Sequence, residues 1–476
     1  MIFTSYTYLL FLAIVFCLHW LFPQSWRKPF LVLASYVFYC SWRIEFGLLL
    51  LGVTLFNWSY AKFILSKSQR TSALLLGIAF NLAPLIYFKY SGFLLANAAR
   101  LSHLIGLSWQ SPVLHIILPL GISFFTFQGI AYLFDVAAGE EPLQNLLDFM
   151  LFKALWPQLI AGPIIRLEEI RDQITTPRTL DYADLAYGSQ RILFGFFKKV
   201  VLADNLAPFV DMVFLQNTTP NFLDVVTGVV GFGMQIYFDF SAYSDIAIGS
   251  ARLFGFIFPE NFNWPYVSRS PREFWNRWHM SLSRWIRDYV FMPLTFASRN
   301  RPRLGPLWLV IAMALCGLWH GAAWTFVLWG IWHGILLVLN QGPARRLFAP
   351  SEDENKPAHP LHIAFSALLT WSLVQAGWLL FRASSLHQAA GMLKSVLTFR
   401  GHLRPAIVRE NTVLFVFSIL MLLTLTQLFR HQIQAISKTR FGQLAGLALR
   451  PALYTFIIVA VIIFDQEAKT FVYFQF

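Results

Sequence analysis

Two imidazoles stand out in this chain because of where they lie. His320 and His333 fall inside the run Gly317–Gly334, which also holds four Trp and little else that is polar. No Asp, Glu, Lys or Arg occurs between Leu304 and Pro343. A polar ring in hydrocarbon is costly unless it is satisfied or used. One use is chemical: burial favours the uncharged form of an imidazole, and an uncharged imidazole can take a proton from an alcohol. The other reading is a buried His that hydrogen-bonds a neighbouring helix, and the residues alone leave both open.

His279 belongs to a second group, Ser268–Leu294. Trp275, Trp278, Leu282, Trp285, Ile286 and Tyr289 recur at steps of three and four, which predicts one amphipathic helix. Arg277, Ser281, Arg284 and Asp288 fall on another side of it, and His279 at the edge of the apolar stripe beside Ile286. Pro271 and Glu273 suit its start, by backbone geometry and by helix dipole. Arg299, Arg301 and Arg303 follow. Such a basic helix can anchor to anionic headgroups. It can equally present His279 and a cationic face, with Arg287, to a phosphate-bearing donor, since Arg binds phosphate with paired donors. A third group holds Asp239, Ser241, Tyr243, Ser244 and Asp245, with Ser241 and Asp245 one turn apart on a helix. Carboxylates at membrane depth face a cavity or a partner; a helix cap, or an ion pair with an Arg such as those of the basic helix, is the other reading.

The elements that must position these groups are membrane spans. The 476 residues are 57% hydrophobic and 13% charged, against about 25% charged in soluble proteins. The 48 Phe and 17 Trp suit many membrane–water interfaces. The formal charge of +13 falls mainly in the connections, where it orients a membrane protein and does not call for nucleic acid. Cys17, Cys40 and Cys316 are isolated in apolar runs, so neither a metal site nor a disulfide framework is expected. The first apolar run, Ile2–Phe22, has no basic leader and no small-x-small cleavage site, and reads as an uncleaved span.

Apolar length then places further spans at Phe46–Leu65, Ser72–Tyr90 with Pro84 inside, and Val113–Ala137 with a kink at Pro119 and Gly121. Phe30–Trp42 is short for a span, and Ser91–Trp109 has no assignment. Arg27 with Lys28, and Lys62 with Lys67 and Arg70, mark cytoplasmic ends. Phe149–Arg166, with Lys153, Pro157, Gln158, Gly162 and Pro163, reads as a re-entrant or interfacial segment lined by protein. Arg166–Arg178 is polar and cytoplasmic, and Leu185–Ala203 lies along the interface. Phe222–Phe240, Ala242–Phe256, Leu304–Trp319, Ala322–Asn340, Leu361–Phe381, Val413–Phe429 and Pro451–Phe464 follow, with a loop at Glu352–His362. Arg345 and Arg346 return the chain to the cytoplasm, which sets His320 at a helix turn on the far side. The expectation is an all-α polytopic protein of about eleven spans plus re-entrant and interfacial segments. No loop is long enough for a soluble catalytic domain of about 100 residues, and no internal repeat of the kind transporters carry is present.

Several blocks resemble those of the membrane-bound O-acyltransferases, and within that family the branch of the alginate O-acetyltransferase membrane subunit. They are Leu118-Pro-Leu-Gly-Ile-Ser-Phe-Phe-Thr-Phe-Gln128, Pro157-Gln-Leu-Ile-Ala-Gly-Pro163, Tyr237-Phe-Asp-Phe-Ser-Ala-Tyr-Ser-Asp-Ile-Ala-Ile-Gly249, Glu273-Phe-Trp-Asn-Arg-Trp-His-Met-Ser-Leu-Ser283, Leu318-Trp-His-Gly-Ala-Ala-Trp324 and Phe471-Val-Tyr-Phe-Gln-Phe476. Their order and number make the resemblance specific over nearly the whole chain. It departs at Leu294–Arg303, where relatives often carry a Leu-Gly-Gly-Asn-Arg stretch, and at Ala242, where they often have Gly.

The resemblance implies one domain over residues 1–476, with N-terminal spans to 145, core segments over 146–340 and C-terminal spans beyond. It implies a ring of helices around a thin central floor pierced by a tunnel. It makes His320 the catalytic base and His279 a second functional His, with Arg277, Arg284, Arg287, Trp319, Trp324, Asp239, Ser241 and Asp245 binding the donor or supporting the site. It implies no bound cofactor or metal. The co-substrate is acetyl-coenzyme A or another acyl thioester, approaching from the cytoplasm. It further implies a multi-pass protein of the bacterial inner membrane, working with a periplasmic or membrane-anchored hydrolase-like partner that modifies an exopolysaccharide. D-alanyl transfer to teichoic acid is the alternative within the family. A transporter of a small anion or a lipid-linked sugar is the alternative outside it.

Overall fold

The structure is a computed structural model and describes residues 1, 3–67, 71–215, 220–342, 344–350, 358–401, 405–429, 439–465 and 471. Ile2 at the start of the first run, Arg70, Glu352–Pro357 of the expected loop, and Val472–Phe476 of the last block lie outside them. Among the described residues the chain is helical, without a strand. The helices are α1 Tyr6–Leu21, α2 Gln24–Cys40, α3 Ile44–Tyr60, α4 Thr71–Leu85, α5 Ser91–Leu104, α6 Ile122–Ala137, α7 Leu146–Ala154, α8 Trp156–Leu159, α9 Leu167–Thr175, α10 Tyr182–Phe196 and α11 Asp204–Phe214. They continue as α12 Phe222–Leu253, α13 Pro271–Arg277, α14 Met280–Ile286, α15 Met292–Ala297, α16 Gly305–His320, α17 Trp324–Gln341, α18 Pro360–Arg382, α19 Leu386–Leu397, α20 Glu410–Leu428 and α21 Arg440–Phe464.

By length and composition, six continuous helical runs among the described residues can cross a bilayer: Ile44–Leu65, Thr71–Leu104, Phe222–Leu253, Pro302–His320, Pro360–Arg382 and Gly446–Phe464. Three boundaries differ from the sequence reading. Ser91–Trp109 supplies α5, which extends α4 through a π turn at Ile86–Tyr90 into one run. Val113–Ala137 is helical only from Ile122. Pro119 lacks an amide donor and Gly121 takes a left-handed φ of 71°, so the pair caps a helix and does not kink one. Phe222–Phe240 and Ala242–Phe256 are one 32-residue helix, because Ser241 bonds back to the Phe238 carbonyl without breaking the ladder.

The chain folds into two compact units. The first comprises Met1–Ile192 and Tyr243–Glu260. Its interior receives the end of α12: Tyr243 stacks on Phe3 with centroids 4.6 Å apart and its hydroxyl accepts from the Ala161 amide, while Tyr8 and Ser250 share a 2.6 Å hydrogen bond. Leu151–Ile165 is buried throughout, as the end of α7, α8 and the loop after them, which is how a broken helix survives in an apolar setting.

The second unit comprises Leu193–Ala242 and Asn261–Phe476. Its largest helix pair is α16 against α17, and glycines set their spacing. A Cβ on Gly317 would lie 2.1 Å from the Phe326 carbonyl oxygen, and one on Gly330 would lie 2.1 Å from that of Met313. Asp224, fully buried in the first turn of α12, pins a distant segment. Its carboxylate accepts from the amides of Asn221, Ala406, Ile407 and Val408 at 3.0–3.2 Å. Asp224→Ala strands these donors, each worth about 1–3 kcal/mol when buried and unpaired. The expected result is a lower unfolding midpoint in detergent; an unchanged midpoint would show that this carboxylate does not hold the segment.

Candidate active site

α16 ends at His320 for a local reason. Gly321 is extended, and a Cβ there would lie 2.1 Å from the Phe326 ring. The Ala323 amide then bonds the Gly321 carbonyl at 2.9 Å, and α17 begins at Trp324. The hairpin leaves His320 at the turn, 7% exposed, beneath a cage of rings: Trp319 at 4.9 Å, Trp329 at 5.0 Å and Phe381 of α18 at 5.2 Å between centroids. His333 lies on the same hairpin but is wholly buried against Trp275 and Trp329.

His279 is not on the side of a helix. The expected single helix over Ser268–Leu294 is broken into α13, α14, a π turn at Arg287–Phe291 and α15. The break falls at Trp278-His279, where His279 takes φ 41° and ψ 54° and caps α14. A left-handed non-Gly residue costs about 1–3 kcal/mol and persists only where its surroundings hold it. Asn261 provides the hold: its Oδ1 accepts from the Ser281 amide at 3.1 Å, the Ser281 hydroxyl at 2.9 Å and His279 Nδ1 at 3.3 Å. The Ser281 N–H can only donate, which fixes the amide orientation. Nδ1 therefore carries the ring hydrogen and Nε2 the lone pair. Burial pushes the His279 imidazole down to about 3, so the ring is neutral at ordinary pH. Trp319 lies between the two histidines, 6.0 Å from His279 and 4.9 Å from His320 by centroid.

Beside this pair is a cavity of about 1210 Å³. Arg272, Arg284, Arg287, Arg345 and Arg346 line it, together with Asn276 and Asn340. Its apolar wall includes Leu309, Ala312, Met313 and Cys316, one face of α16 at helical spacing. From Leu309 to Cys316 is about 10 Å of helix, and His320 is a further turn, about 6 Å, beyond. The cavity thus runs along α16 and its α16 lining stops one turn short of the imidazole; Trp275 and Met280 also line it.

The sequence model of the family described as "MBOAT, membrane-bound O-acyltransferase family" matches residues 142–375. The chain is 41% identical over 413 residues, covering 84% of itself and 78% of the relative, to "Probable alginate O-acetylase AlgI" of Azotobacter vinelandii. The chain belongs to the membrane-bound O-acyltransferase family. It is 34% identical over 417 residues to "Peptidoglycan O-acetyltransferase" of Helicobacter pylori, with 80% and 75% of the two chains covered. To "Teichoic acid D-alanyltransferase" of Bacillus subtilis it is 34% identical over 230 residues, with 46% and 58% covered. The protein is a membrane O-acyltransferase, and the segment matched by the family contains His279, His320 and every residue lining the arginine-rich cavity.

Of the residues singled out by sequence in this acyltransferase, His320, His279 and Trp319 come together, and Arg284 and Arg287 line the cavity. Arg277 does not line it: it is buried and bonded to Glu273 at 2.7 Å, one turn earlier on α13. Asp239 and Ser241 bond Lys199 at 2.8 Å and Lys198 at 3.0 Å. Asp245, in the first unit, pairs with Arg191 at 2.6 Å. These carboxylates are ion-paired as one reading of the sequence held, Asp245 with Arg191 of α10 and Asp239 with Lys199 of the π turn that follows it. Trp324 is 46% exposed at the start of α17 and does not line the cavity. Sequence reasoning missed Asn261, whose role exists only across the loop, and Arg272. It read the Arg345-Arg346 doublet as an orientation signal alone, although two adjacent arginines at a helix end also suit phosphate.

Proposed function

We propose that this membrane acyltransferase moves an acetyl group from a cytoplasmic thioester, acetyl-coenzyme A, to an acceptor on the other side of the inner membrane. The observation that carries the reading is the cavity: five arginines in its lining, an apolar face of α16, and His320 one turn past Cys316. Arg299, Arg301, Arg303, Arg345 and Arg346 put the arginine-lined cavity at the cytoplasm by the positive-inside rule. The arginines hold the donor's phosphates, and the apolar wall takes the arm that carries the thioester.

In the transfer, an acceptor hydroxyl gives its proton to His320 as its oxygen bonds the acyl carbon. The carbon–sulfur bond then breaks, and the departing thiolate takes the proton back from the imidazolium. General-base help of this kind is worth roughly 10² to 10⁴ in rate. With Nδ1–H committed to Asn261, His279 offers a lone pair and not a donor. That supports positioning the donor rather than polarising its carbonyl. Trp275, Met280 or Trp319 must shift to join cavity and base, in keeping with lids that complete a site on binding.

The longer match to the alginate and peptidoglycan acetyltransferases supports acetyl over D-alanyl transfer. An exopolysaccharide is the final acceptor, reached through a periplasmic or membrane-anchored hydrolase-like partner. Cell-surface polysaccharide should carry O-acetyl groups in cells with the chain and lose them in cells without it. Equal acetylation in both would sink the proposal, and transfer from a D-alanyl carrier-protein thioester in place of acetyl-coenzyme A would replace the donor.

The arginines divide by role. Arg284→Gln and Arg345→Gln should each raise the KM for acetyl-coenzyme A about tenfold with little change in kcat, the cost of one charge-assisted contact. Arg277→Gln should instead lower the unfolding midpoint, because it leaves Glu273 buried without its cation. A purified-protein KM series that failed to separate these variants would remove the assignment.

A further inference from the structure

The first unit holds a smaller cavity, of about 260 Å³, that the transfer reaction does not use. Arg27 and Lys28 from the first turn of α2, and Arg178 from the segment after α9, line its polar side. Ser25 and Thr176 add hydroxyls, while that of Thr175 donates to the Arg171 carbonyl at 3.0 Å, and none of the lining residues is acidic. Lys28 is paired with Asp148, which does not line the cavity. The two guanidiniums have no carboxylate among the described residues. Arg27 donates to the carbonyls of Phe22, Arg178 and Trp20 at 3.1, 3.0 and 3.5 Å, one from each nitrogen, and Arg178 Nε to that of Gln173 at 3.2 Å. Each Arg has five N–H groups, so both keep donors for an anion after these bonds are made. Leu31, Leu151, Phe254 and Phe256 give the cavity an apolar part. At the same α1–α2 turn, Leu21 and Trp26 are 78% and 64% exposed, as suits a turn at the membrane interface.

We infer that this cavity binds a phosphate-bearing headgroup, that of an anionic phospholipid of the leaflet on this side. Two guanidiniums without carboxylates, two hydroxyls and several apolar side chains make a pocket whose polar groups suit a phosphodiester and whose apolar groups suit its glycerol. Headgroup pockets between helices are built this way, from basic residues at the membrane surface. The inference does not rest on the donor cavity or on the identity of the acyl group.

The test uses the full chain purified in detergent. Phosphatidylglycerol, phosphatidylcholine and inorganic phosphate are each titrated while the unfolding midpoint and lipid retention in native mass spectrometry are read. The expected result is stabilisation and retention with phosphatidylglycerol, neither with phosphatidylcholine, and about tenfold weaker phosphatidylglycerol binding in Arg178→Gln. Should Arg178→Gln fail to fold, Thr176→Val provides the second variant, with weaker binding again expected. Equal retention of the two lipids, or phosphatidylglycerol binding unchanged in the folded variants, overturns the site. Stabilisation by inorganic phosphate equal to that by phosphatidylglycerol overturns the lipid as its ligand.

Discussion

His320→Ala is expected to lower acyl transfer by roughly 10² to 10⁴ while the protein inserts and accumulates normally. The drop should fall in kcat, with the KM for the donor thioester unchanged, because His320 does not line the cavity that holds the donor. His320→Gln should be equally inactive, since an amide fills the space but cannot take a proton at neutral pH. The measurement is a single-turnover transfer assay on purified protein in nanodiscs, with the unfolding midpoint read beside it. Full transfer by a well-folded Ala variant would sink the assignment and leave the aromatic cage as a packing feature.

The second large effect is expected from one methyl group. In Gly330→Ala the new Cβ would start 2.1 Å from the Met313 carbonyl oxygen, a backbone atom that cannot rotate away. α16 and α17 must separate by the order of 1 Å, and overpacking of this kind costs about 3 kcal/mol. A displacement of that size at the end of α16 also moves His320, where a misplacement of about 1 Å can cost 10² in rate. Gly317→Ala should behave alike, from the Phe326 side. Both variants should unfold at lower temperature than the parent and transfer more slowly per folded molecule. A Gly330→Ala protein with the parental midpoint would show that the helices can part without penalty.

Periodicity found the helices whose apolar length exceeds what noise supplies, such as α16, α17 and α18. It failed where local chemistry overrides length. Pro119 and Gly121 start a helix that hydropathy alone extends backwards, and Ser241 interrupts an apolar run without interrupting α12. The clearest failure is the Trp-rich segment. Its three- and four-residue steps fit one amphipathic helix, yet Asn261, some 18 residues upstream, holds His279 in a left-handed conformation and splits that helix in two. No window centred on His279 contains that information.

The chemistry was written in residue types and the arrangement was not. An imidazole in a run without charges, and arginines at the ends of long apolar spans, already mark a membrane protein with buried polar work to do. Burial makes such residues expensive, so they mark themselves locally. Which arginines face the cavity, which carboxylates are spent on Lys199 and Arg191, and which Trp stands between the two histidines depend on contacts between helices distant in sequence. Those contacts follow from side-chain shape and from the glycines that let α16 and α17 approach, so only the folded chain decides them.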